Sequence, residues 1–236
     1  MRKYFVSTCN LARFMKEERT IYAVILLPIV LVIAYLNGAD ALYRFFEQNA
    51  PESIYGIAEP LIIMSIMSIM PLLIGFCSAF VILDELENRI QRYYCITPLG
   101  KTGYLFSRIM APGIIIALVN LLLLIVIRPE HYSILQVLGV AVCASLEGIV
   151  ICLFISDFSS NRVEGMAFGK ISGFMLAVMF IPYVSKWNVI KIFMLFPSYW
   201  YGRFVLDLSV KNFACCLTVS LVWVLFLVRK FIVQNI

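Results

Sequence analysis

The chain has 236 residues, of which 62% are hydrophobic and 14% charged, with a formal net charge of +5. Apolar residues make up about half of a soluble domain, so this composition excludes an ordinary soluble fold and describes an integral membrane protein. The bases lie mostly between apolar runs, so the positive charge reports topology and gives no argument for nucleic-acid binding.

The chain opens on RKYFVSTCNLARFMKEER, a basic segment in which Tyr4, Phe5, Leu11, Phe14 and Met15 can share one face. Residues 1–19 are read as an interfacial helix lying on membrane lipid; a solvated tail is the alternative. The apolar run that follows starts too late, and is too long, for a cleaved signal peptide. Six runs then reach the ~20 residues a helix needs to cross ~30 Å of hydrocarbon. They cover about residues 20–39, 60–83, 109–127, 132–156, 165–185 and 212–228. The expected fold is an all-α integral membrane protein of six transmembrane helices, with residues 1–236 as a single transmembrane domain.

Six spans place both termini on one side. Thirteen of the Lys and Arg residues fall on that side and six on the other, which favours cytoplasmic termini in a multi-pass protein of a bacterial inner or plasma membrane. Residues 191–204 hold the apolar stretch IFMLFPSYWYG, too short to span and broken by Pro197 and Gly202, which suits a re-entrant hairpin. The seven cysteines form no C-x-x-C and no pair on an outer loop, so neither structural disulfides nor a zinc site is indicated.

Polar and soft residues inside the spans are the candidates for a substrate path. Met64, Met67 and Met70 recur every third residue in MSIMSIM. Thioethers bind Cu(I) or offer a pliable surface to apolar substrates; ordinary packing, with Ser65 and Ser68 at a helix contact, is the alternative, and no metal site is assigned. Glu147 sits in the middle of the fourth span, where a charge costs a few kcal/mol, with Asn120 of the third span as candidate partner. Glu147 reads either as a substrate or proton contact or as a hydrogen bond joining helices.

Between the second and third spans lies LDELENRIQRYYCITPLGK, Leu83 to Lys101. Leu86, Ile90, Tyr93 and Tyr94 recur at i, i+4, i+7 and i+8, which places them on one helical stripe with Glu87, Asn88, Gln91 and Arg92 turned away. Pro98 ends the helix. So short a helix is marginal alone, and its stripe must pack on headgroups, on the ends of the spans or on a soluble partner.

The run E-L-E-N-R-I-Q-R-Y-Y-C-I-T-P, Glu85 to Pro98, resembles the loop of type-two ATP-binding-cassette export permeases, whose pattern runs E-[RK]-E-x-G-T-L-x-x-L-x-x-T-P. Glu85, Glu87, Thr97 and Pro98 match it, while Leu86, Arg89 and Ile90 depart from its base, glycine and threonine. Arg108, the stretch Asn161 to Ala167 and the stretch Phe196 to Trp200 are also similar to that family. The resemblance implies the membrane-spanning half of an exporter for a drug, antibiotic, peptide or lipid-like substrate. Residues 84–104 would then form the coupling element, with Glu85, Leu86, Glu87, Ile90, Tyr93, Tyr94, Thr97 and Pro98 against a separate ATPase subunit that carries ATP and Mg. A second copy, or a similar permease, would complete the assembly.

The chain has no G-x-x-x-x-G-K-[ST] phosphate loop, so it does not hydrolyse ATP alone. Its single histidine, His131, leaves no catalytic set for an intramembrane enzyme. A stand-alone secondary transporter or channel is the alternative, with Glu147, Lys170 and Arg203 along a path. Such proteins are typically built from repeats, and the two halves of this chain show none.

Overall fold

The computed structural model describes residues 30, 33–35, 37–38, 52–96, 100–127, 132–184 and 190–235. Among them the chain is helical throughout its regular parts, with no strand. Helix α1 (Glu52–Glu87) has 36 residues, about 54 Å at the α-helical rise, which is longer than the ~30 Å of hydrocarbon. After a two-residue turn come α2 (Ile90–Ile96) and α3 (Gly100–Leu105), then a π-helical turn, Phe106–Met110, that leads into α4 (Ala111–Ile127). Helix α5 (Ile134–Phe158) is followed by α6 (Arg162–Ala177), a 3₁₀ turn at Val178–Phe180, and α7 (Ile181–Val184). The chain ends in α8 (Ile190–Phe193), α9 (Pro197–Leu206) and α10 (Val210–Asn235).

Five helical stretches among the described residues are long and apolar enough to cross a membrane: Pro60–Glu87, Gly103–Ile127, Ile134–Phe158, Arg162–Tyr183 and Val210–Val233. The expected first span, 20–39, lies outside the described residues except for Val30, Ile33, Ala34, Tyr35, Asn37 and Gly38, which are helical. The interfacial helix expected over 1–19, the coupling residues Thr97 and Pro98, and His131 also fall outside them.

Helix α5 is the centre of the bundle and packs on α1, α4, α6, α9 and α10. Glycines set its closest contact. A Cβ at Gly75 would lie 2.7 Å from the Gly148 carbonyl oxygen, and one at Gly148 would lie 3.3 Å from Pro71 Cα. Small residues that let backbones approach are the usual basis of helix association in lipid, and here they bring α1 and α5 together. The outer faces are apolar in the way hydrocarbon demands, with Leu118 and Leu122 on α4 and Val222, Leu225 and Phe226 on α10 exposed.

The helix starts are encoded locally. Ser133 caps α5 in a capping box: Gln136 N donates to Ser133 Oγ at 3.4 Å, and Ser133 N donates to Gln136 Oε1 at 2.8 Å. Asn161 Oδ1 accepts from Glu164 N at 2.8 Å at the start of α6. Pro197 stands at the first position of α9, where its missing N–H costs nothing.

Within 191–204, α8 leads through a turn at Met194 and Leu195 into α9. Trp200 Nε1 donates to Met194 O at 2.8 Å and Trp223 Nε1 to Leu195 O at 2.9 Å, which satisfies the carbonyls of the turn. Helix α9 buries Ser198, Tyr199, Tyr201, Phe204 and Val205 against its neighbours. Gly202 is required there, since a Cβ would lie 2.0 Å from the carbonyl oxygen of Met179 in the 3₁₀ turn.

Candidate functional site

The stripe expected from Leu86 to Tyr94 does not lie on one helix, because α1 ends at Glu87 and α2 begins at Ile90. Arg89 takes a left-handed conformation at φ 55, with Asn88 N bonded to Asp84 O and Arg89 N to Leu86 O, both at 3.1 Å. One residue in that region commonly ends a helix, and it separates Leu86 from Ile90, Tyr93 and Tyr94. The expected stripe is corrected accordingly. Tyr93 is 68% exposed, while Tyr94 is half-buried and stacks on Tyr104 at a centroid distance of 6.1 Å. Gln91, expected to face away, is buried.

The three acids at the end of α1 turn toward the protein. Glu85 is buried and pairs with Arg108 of the π-helical turn, whose Nε donates to both carboxylate oxygens at 3.0 Å. The guanidinium carbon of Arg108 lies 5.5 Å from the centre of the Tyr94 ring, a cation–π contact. Glu87 accepts from the backbone N of Arg162 at 2.6 Å, and Asp84 accepts an ion pair from the Arg162 side chain at 3.0 Å. The last turn of α1 is thus bound to the start of α4 through Glu85 and to the start of α6 through Asp84 and Glu87. Tyr94 joins α2 to the first of these contacts.

Inside the bundle, Met64, Met67 and Met70 are all buried in the apolar core beside Ile63, Ile66 and Ile74. Ser65 and Ser68 bond backward along their own helix, to Leu61 O at 2.7 Å and to Ser65 O at 2.8 Å. Glu147 is buried on α5 and does not pair with Asn120. Its Oε2 accepts from Ser198 Oγ at 3.3 Å, and its Oε1 has no hydrogen-bond partner among the described residues. Asn120 is buried on α4, and neither of its side-chain polar atoms has a partner among the described residues. A narrow crevice with room for about one water lies between α5, α6 and α9, and Glu147, Phe154, Ser172, Met175 and Ser198 line it.

The chain matches, over residues 12–232, the family described as Fluoroquinolones export permease protein Rv2686c-like. It belongs to that family. It is accordingly a multi-pass membrane protein of an export permease family, and an all-helical bundle with five described stretches long and apolar enough to cross a membrane suits that membership. No curated protein matches the chain.

Periodicity alone missed three residues of this permease that hold the site together. Arg162 clasps Asp84 and Glu87, Tyr104 supports Tyr94, and Ser198 reaches Glu147 from 51 residues away. Ser198 did carry a sequence signal, since it follows the proline that opens α9.

Proposed function

We propose that this permease is the membrane-spanning subunit of an ATP-binding-cassette exporter of the type-two class, driven by a separate ATPase that holds ATP and Mg. The observation that carries the proposal, beside family membership, is the construction of residues 84–104. Helix α2 presents Tyr93 outward, and behind it a cation–π contact and an ion pair lead from Tyr94 through Arg108 to Glu85. A partner that grips Tyr93 moves Tyr94 with it, and so bears on the ends of α1 and α4. Ile90 is assigned to the docking face with Tyr93, and Thr97 and Pro98, outside the described residues, are assigned to it by resemblance alone; Leu86 packs on the core instead, while Glu85 and Glu87 serve as joints that pass the movement on.

The substrate class follows the family name: fluoroquinolones, or drugs of the same planar, amphipathic kind. Lys170 supports assembly with a second permease. It is exposed on α6 about two turns into the span that begins at Arg162, and charged residues at that depth face a protein interior or a watery path rather than lipid. A second permease subunit, identical or similar, covers this face. Both termini lie in the cytoplasm with the ATPase.

The test is co-purification with the cognate ATPase, for which the proposal expects two permeases and two ATPases in each complex. A permease that exports drug as an isolated monomer contradicts it.

A further inference from the structure

Glu147 Oε1 is buried, lines the crevice between α5, α6 and α9, and has no partner among the described residues. Buried carboxyls are ordinarily hydrogen-bonded or paired, because an unpaired one forfeits its hydration without return. No group of three His, Cys, Asp or Glu residues that could hold a metal ion occurs among the described residues. One carboxylate beside two hydroxyls, Ser198 and Ser172, instead suits a singly charged donor with directed N–H bonds.

The apolar walls point the same way. Phe154 and Met175 face the crevice, and Phe154 belongs to an aromatic cluster with Phe158 at 5.0 Å and Phe168 at 6.1 Å. Ring faces and thioethers receive flat aromatic groups without demanding a fixed outline. We propose that this crevice is the subsite for the protonated amine of an amine-bearing planar aromatic drug, with Glu147 as the acceptor and the Phe154–Met175 wall receiving the ring next to the amine. The inference rests on the export reading and names the substrate group that this part of the path holds.

As it stands the crevice is too narrow for a drug, so α6 and α9 part to admit it. Just past Met175 and Leu176 the α-helical pattern gives way to the 3₁₀ turn Val178–Phe180, against which Gly202 of α9 sits. A 3₁₀ stretch within a long helix commonly marks a hinge. Here it lets the wall of α6 swing while Gly202 holds the pivot.

The experiment compares ciprofloxacin, which carries a basic piperazine, with flumequine, which has a related ring acid and no basic amine. Binding of each to the purified complex in lipid nanodiscs is measured for wild type, Glu147→Gln and Ser198→Ala, and export of each is measured in reconstituted vesicles. Glu147→Gln should weaken ciprofloxacin by ~10-fold or more, the scale of a lost charged hydrogen bond, and so abolish the preference for ciprofloxacin over flumequine. Ser198→Ala should reduce that preference by less. Equal losses for both drugs, an unchanged preference in Glu147→Gln, or no ciprofloxacin binding by wild type overturns the subsite. Wild-type binding that depends on Glu147, with export of neither drug, instead overturns the export reading and leaves the subsite standing.

Discussion

Arg108 Nε reaches both carboxylate oxygens of Glu85 at 3.0 Å, and the two side chains, 23 residues apart, are buried together where α1 ends and the approach to α4 begins. Removing one member of a buried pair strands the charge of the other, typically at ~3–5 kcal/mol, whereas replacing both with apolar groups is often near neutral. Glu85→Ala and Arg108→Ala should each lower the thermal midpoint of the purified protein sharply. The double variant Glu85→Leu with Arg108→Met should recover most of the loss. Independent, additive losses measured by thermal unfolding in detergent would show that the pair does not act as a unit.

Adjacent tyrosines have opposite surroundings, and their substitutions should separate. Tyr93 is exposed, so Tyr93→Ala should leave the thermal midpoint unchanged and reduce capture of the ATPase, because exposed aromatics that become buried at an interface often dominate its affinity. Tyr94 stacks on Tyr104 and covers Arg108, so Tyr94→Ala should lower stability. A pull-down run beside a melting curve reads both effects. Equal behaviour of the two variants would contradict the described geometry of α2.

Gly202 faces a backbone atom that cannot rotate aside. Gly202→Ala puts a methyl group 2.0 Å from Met179 O and should cost at least the ~1–3 kcal/mol of an overpacked site. Gly173→Ala is the control, since nothing lies within 4 Å of its Cβ. The readout is the yield of monodisperse protein on size exclusion, and similar yields for the two variants would place α9 elsewhere.

The all-helical class and the five described spans were legible in the sequence because apolar runs of span length have few other solutions. The coupling segment was legible as an amphipathic element but not in its detail. Counting every fourth residue assumes an unbroken helix, and the left-handed Arg89 resets the phase between Leu86 and Ile90. Glu85 and Arg108 were both singled out in the sequence. Their pairing was not visible, because it depends on how α1 and α4 meet in space. Glu147 drew attention as a charge at membrane depth, yet its partner proved to be Ser198 on α9 rather than Asn120 on the adjacent span. Hydropathy gives the depth of a polar residue and says nothing of the azimuth at which a later helix arrives.

Lys170 shares its exposed face of α6 with Met166 and Phe174. A photoreactive group in place of Phe174 should therefore capture a second permease chain in membranes. The same group at Leu118, exposed on the apolar outer face of α4, should capture only lipid. Cross-linking to a permease chain from Leu118 and not from Phe174 would place the interface on the wrong helix.

The most direct measurement of the account is ciprofloxacin uptake into inside-out vesicles holding the permease with its cognate ATPase. Uptake should require both subunits and hydrolysable ATP, persist when ion gradients are collapsed, and fall when Tyr93 is replaced by Ala. Uptake by the permease alone, driven by a proton or sodium gradient and indifferent to ATP and to Tyr93, would contradict it.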